Sequence, residues 1–288
     1  MENSISIVII KRKEKMKAYI IQPNYSSNPL DLEKNINEEL SFLDACDENA
    51  DIIVLPEYSE VLTSFPTTEE FNNALIKYNP IIEKKVKETA IRCKATVFAN
   101  YGYKTDKGYR NTTHVIDKNG NEIGRYFKQH PAPSEIKNPM IDTDYSYQEQ
   151  PVYTIDVDGI RYGFRTCYDF YFYEDAVKMA REKLDIIIGC SYQRTDTHQA
   201  LEIMCQALAY NTNAWLVRAS ISLGTDSKVC GSSMVVSPDG TIIANMKNGV
   251  GIKIVEFNPT EKYLKPSGFN GGLRPHYEYV DEGRALIK

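Results

Sequence analysis

At 288 residues, with 42% hydrophobic and 25% charged side chains, the chain has an ordinary globular composition. It is long enough to bury a large core without disulfide or metal staples. A formal net charge of −5, with no long basic tract beyond residues 11–17, argues against nucleic acid or anionic lipid as the main partner. No apolar run approaches the roughly 20 residues of a membrane helix, and the apolar run at 5–10 precedes its basic cluster, the reverse of a secretory signal.

The elements follow in chain order. Residues 1–15 read as an N-terminal extension, because the first clean strand, over 17–22, comes only after Met16. A helix is predicted over 32–45 and a buried strand over 51–55. Apolar residues at 82, 86, 90 and 93 predict a helix over 80–94. A strand follows at 96–101. Runs at 112–117 and 122–127 flank Lys118-Asn119-Gly120, a hairpin signal. The second half repeats the theme: strands at 152–157 and 160–166 around Asp158-Gly159, a helix at 174–183, a strand at 184–190, a helix at 197–211 and a strand at 214–219. Strands at 233–236 and 241–244 flank Pro238-Asp239-Gly240, and 251–257 closes the sheet.

Four main helices and about a dozen strands in two similar halves predict a single α/β domain over 16–260, a four-layer αββα sandwich. The polar, aromatic tail over 261–288 is expected to wrap a neighbouring subunit.

Three predicted strands end in a reactive side chain: Glu57 in Leu55-Pro56-Glu57-Tyr58, Lys128 in Gly124-Arg125-Tyr126-Phe127-Lys128, and Cys167 in Gly163-Phe164-Arg165-Thr166-Cys167-Tyr168-Asp169. Each alone has an ordinary reading, as a solvated loop acid, a surface lysine or an inert core thiol. Together they compose a chemistry. A thiol attacks as thiolate and needs a base, which Glu57 supplies if burial raises its proton affinity. Lys128 stabilises the oxyanion formed when a carbonyl is attacked.

These segments, with the family's glutamate motif matched by Ile53-Val54-Leu55-Pro56-Glu57 and the late strand–turn–strand signature by residues 231–240, resemble the nitrilase superfamily, the carbon–nitrogen hydrolases. The resemblance covers about residues 17–259. It implies Glu57 as general base, Lys128 as oxyanion stabiliser, Cys167 as nucleophile and Glu135 as a second glutamate orienting the lysine and substrate. It also implies an oxyanion contact from the Tyr168 backbone N–H, a homodimer or larger assembly, and no cofactor. The implied reaction is hydrolysis of a small amide or N-carbamoyl compound through a thioacyl intermediate. Cys167-Tyr168-Asp169 resembles the amide-cleaving branches more than the nitrile-cleaving ones.

Gln206-Ala207-Leu208-Ala209-Tyr210-Asn211 departs from the family, lacking the arginine and glutamate usual on that helix, which leaves a non-catalytic binding relative as an alternative beside a nitrile hydrolase on the same fold. Arg165 shares strand parity with Cys167 and is expected either to pair with a carboxylate such as Asp169 or to grip substrate. Tyr168, Tyr192 and Gln193 are expected to line the pocket, and His130 and His198 to be structural or surface groups. The six cysteines (46, 93, 167, 190, 205 and 230) form no CxxC pair, and the four histidines show no metal-ligand spacing. A reduced, cytoplasmic protein without a metal site is expected.

Overall fold

The computed structural model describes residues 14–144, 153–266 and 268–275. The first half builds a six-stranded sheet from β1 (Met16–Gln22), β2 (Ile52–Val54), β3 (Thr96–Thr105), β4 (Gly108–Ile116) and β5 (Glu122–Phe127), completed by β12 (Gly251–Phe257). Its order is β12-β1-β2-β3-β4-β5; β1, β2 and β3 run parallel and the outer pairs antiparallel. The second half repeats the plan with β6 (Thr154–Val157), β7 (Ile160–Thr166), β8 (Ile186–Cys190), β9 (Trp215–Ala219), β10 (Met234–Val236) and β11 (Ile242–Asn245), in the order β11-β10-β9-β8-β7-β6. A two-stranded ribbon, β13 (Leu264–Pro266) with β14 (Leu273–Pro275), follows.

The helices are α1 (Leu32–Ala45), α2 (Thr68–Cys93), the single turn α3 (Pro133–Ile136), α4 (Glu174–Arg181) and α5 (His198–Thr212). Strand alternation assembles the layers. Ala18, Ile20, Ile52 and Val54 meet Ile186, Ile188, Val217 and Ala219 between the two sheets. Their neighbours Tyr19, Ile21, Ile53 and Leu55 face α1 and α2, while Ile187 and Leu216 face α4 and α5. Burial on both faces explains why these strands read as continuous apolar runs. The four-layer αββα architecture is the one the element pattern predicts.

The helix predicted over 80–94 begins twelve residues earlier, at Thr68. Pro80 lies inside the helix, and the start is a capping box, Thr67 with Glu70. Residues 1–13 of the N-terminal extension predicted over 1–15, the predicted start of a strand at Val152, and the tail from 276 lie outside the described residues. Among the described residues, no helix is long and apolar enough to cross a membrane.

Candidate active site

The tips of β2, β5 and β7 converge. Just past β2, Glu57 is buried, and its backbone N–H donates to the Ser191 carbonyl beyond β8 at 3.4 Å, joining the two sheets at this edge. Tyr58 adopts φ +49, a conformation disfavoured for a bulky side chain and held by a hydrogen bond from its N–H to Asn100 Oδ1 at 2.9 Å. Lys128 follows β5 because the antiparallel ladder carries on past Phe127, its N–H donating to the Asn111 carbonyl at 3.0 Å.

Lys128 Nζ donates to Glu57 Oε1 at 2.8 Å and to Glu135 Oε2 at 2.6 Å. Asn111 Nδ2 donates to the same two carboxylates, at 2.7 Å each, and Tyr58 Oη donates to Glu135 Oε1 at 2.9 Å. Glu135 sits in α3, and its carboxylate also accepts the Ala132 N–H at 2.6 Å. All three charges are buried, so each is held by pairing rather than by water.

Cys167 occupies the sharp turn between β7 and a 3-10 segment over Cys167–Tyr171, with φ +46. A non-glycine residue there is strained, and such strain persists only where surrounding contacts enforce it. Its thiol lines the same cavity as Glu57 and Lys128 and lies within their electrostatic reach. Burial and the neighbouring Glu57 hold this thiol well above its ordinary pKa, so at rest it is protonated. Burial also raises Glu57, against the pull of Lys128 and with the push of Glu135. Burial disfavours the Lys128 ammonium, but Glu135 and Glu57 outweigh it and keep Lys128 charged far into the alkaline range. The arrangement places a thiol, a proton acceptor and a fixed cation around one cavity.

These groups open onto a cavity of about 390 Å³ lined also by Tyr25, Ser64, Phe65, Phe71, Tyr192 and Arg194. Among the substrate contacts expected from sequence, Tyr192 reaches this lining; Tyr168, Arg165 and Gln193 do not belong to it. Arg165 Nη1 instead donates to Asp175 Oδ2 at 2.9 Å, not to Asp169. It faces the helix layer, where α4 brings Asp175 beneath it. Gln193 Oε1 accepts from Ser191 Oγ at 2.9 Å and from buried Arg218 at 3.1 Å, bracing the chain after β8. The Tyr168 ring packs edge-on against Tyr171 and Phe172. Gln206, in place of the family's charged pair, donates to the Gly240 carbonyl at 2.8 Å. His130 is buried against Asp169. Among the described residues no His, Cys, Asp and Glu cluster could hold a metal ion.

Asn111, Tyr58 and Arg194 are the site residues that sequence reading missed. Asn111 had a signal, the hairpin register. However, a bulge between Val115 and Ile116 shifts the pairing, and counting from the turn without it sets Lys128 opposite Arg110.

Residues 17–261 match the carbon-nitrogen hydrolase family model. The chain belongs to the carbon–nitrogen hydrolase family. Among curated relatives of this hydrolase is an omega-amidase of Saccharomyces cerevisiae, 26% identical over 85% of this chain and 88% of that protein. A deaminated glutathione amidase of Synechocystis is 25% identical over 85% of this chain and 93% of that one. Among solved structures, a nitrilase-superfamily member from Saccharomyces cerevisiae superposes with TM-score 0.68 at 20% identity, covering 96% of this chain and 97% of its own. An amidase from Nesterenkonia superposes with TM-score 0.64 at 15% identity, over 98% and 100%. The fold of this carbon–nitrogen hydrolase is therefore the nitrilase-type sandwich.

Proposed function

We propose that the protein hydrolyses the C–N bond of a small amide or N-carbamoyl compound through a thioacyl intermediate on Cys167. The observation that carries this reading is the Lys128 ammonium bonded to both Glu57 and Glu135 in the cavity that Cys167 also lines. The amidase names of the curated relatives support amide over nitrile.

Cys167 Sγ attacks the carbonyl carbon as its proton passes to Glu57. The oxyanion is met by Lys128 Nζ and the Tyr168 backbone N–H. The tetrahedral species collapses, the C–N bond breaks, and the departing nitrogen takes the proton from Glu57 and leaves as ammonia or an amine. Water then gives a proton to Glu57 and attacks the thioester, releasing the acid and restoring the thiol. Glu135 and Asn111 act through Lys128 and Glu57, keeping both in place. Burial that raises Glu57 makes it a better base near neutral pH than an exposed carboxylate.

Six free thiols fit a reducing cytoplasm. Exposed Tyr171, Tyr173 and Ile203 beside α4 and α5 fit pairing of two copies through that face. A panel of small amides, N-carbamoyl compounds and matched nitriles, scored by ammonia release with Cys167→Ala as control, tests the reaction. Release from the amides or carbamoyl compounds by the wild type alone is expected. Faster nitrile turnover, or release that survives Cys167→Ala, contradicts it.

A further inference from the structure

Four charged side chains line the cavity, Glu57, Lys128, Glu135 and Arg194. The Lys128 ammonium is committed to the two carboxylates. Arg194 has no carboxylate partner among the described residues: its polar contacts run from Nη1 to Tyr25 Oη at 2.7 Å and to Ser64 Oγ at 3.1 Å. That leaves the Nε and Nη2 edge, the side-on fork that matches a planar carboxylate with two parallel hydrogen bonds.

The guanidinium is also held in place before any ligand arrives. Its Cζ lies 5.4 Å from the Tyr25 ring centroid and 5.3 Å from that of Tyr192, and the two rings meet edge to face at 5.0 Å. Tyr192 Oη is anchored on the Val61 carbonyl at 2.7 Å, and Tyr25 Oη shares a 2.8 Å hydrogen bond with Ser64 Oγ. A flexible surface arginine loses rotamer entropy when it captures an anion; one already seated between two rings loses less.

The cavity is polarised by depth. The buried end carries Glu57 and Glu135 against a single lysine, which disfavours an anionic group there, while exposed Arg194 presents the opposite sign at the rim. We infer that Arg194 is the specificity residue of this cavity and grips a carboxylate that the substrate carries at the end away from its scissile amide. This inference rests on the amidase reading above and narrows it to amides that are also acids, such as the monoamide of a short dicarboxylic acid.

Calorimetric titration of the turnover-deficient Cys167→Ala protein with glutaric acid monoamide and with pentanamide, its uncharged counterpart of equal chain length, reads the contact without catalysis. The monoamide is expected to bind at least tenfold more tightly. Adding Arg194→Gln erases that preference, and Arg194→Lys, which keeps the charge but loses the fork, retains part of it. Equal affinities, tighter binding of pentanamide, or a preference that survives Arg194→Gln overturns the inference. Ammonia release from the two compounds by the wild type tests the amidase reading separately, so an anion site without turnover and turnover without an anion site are distinguishable.

Discussion

Asp169 Oδ1 lies 2.8 Å from both the backbone nitrogen and Nδ1 of His130, so one carboxylate oxygen holds the loop that follows Lys128. The other oxygen accepts the Thr166 N–H at 2.9 Å and the Tyr126 hydroxyl at 2.8 Å, which fixes the residue before Cys167. Stacking of His130 on Phe172 at 3.7 Å closes the arrangement. A single buried side chain thus sets the position of the cation relative to that of the thiol, and it helps enforce the left-handed turn at Cys167.

Asp169→Asn keeps the shape but offers one acceptor oxygen and an NH2 group to a cluster of donors. A loss of about 2–4 kcal/mol in unfolding free energy is expected, read from denaturant unfolding. A drop in kcat of at least tenfold is expected alongside it. An unchanged kcat in the folded variant would contradict the positioning role.

Lys128→Met leaves Glu57 and Glu135 buried together without their cation. Breaking a buried ion pair from one side costs roughly 3–5 kcal/mol. Burial and the Glu135 charge already raise Glu57 against the pull of Lys128; with that pull gone Glu57 takes up a proton more readily, so stability of the variant should recover as pH falls from neutrality, opposite to ordinary acid denaturation. Thermal melts of both proteins from pH 8 to pH 5 check this.

The pH profile of kcat/KM follows from Glu57. Its folded pKa is raised by burial, so the catalytic carboxylate is lost as pH falls through a value above the ordinary carboxylate range of about 4.3. Lys128 is held above its ordinary 10.5, so it contributes no alkaline limb below about pH 10. An acid limb at the ordinary value would remove Glu57 from the role of base.

Glu60, behind the site, provides a test in stability alone. Burial raises it from 4.5 to about 7, and Glu39 lies nearby on α1, also pushed up by burial. A group whose folded pKa is raised binds its proton more tightly when folded. The wild type therefore loses stability as pH rises from about 4.5 through about 7, by roughly 3 kcal/mol in all. Glu60→Gln retains an acceptor for the Gly102 N–H and should flatten that decline.

Which parts of this were legible in the chain follows from range. Strand cores such as 122–127 and 160–166 were readable to the residue because their patterns are local. That Glu57, Lys128 and Cys167 meet at one cavity was legible because each ends a strand in a motif that resembles a family. Asp169 and Arg165 were named but mispaired: whether Asp169 or Asp175 meets the guanidinium depends on how α4 docks on β7, and neither sequence spacing nor parity encodes that. Arg194 gave no signal, because an arginine four residues past a strand is ordinary until Tyr25 and Ser64, from the first half of the chain, are found around it.

The central claim is that acyl transfer passes through the sulfur of residue 167, and the most direct measurement is rapid acid quench during amide turnover with intact-mass and peptide mapping. The account predicts an added mass equal to the acyl group, confined to the peptide that contains Cys167 and absent from Cys167→Ala. An acyl group on another residue, or full ammonia release by Cys167→Ala, would contradict it.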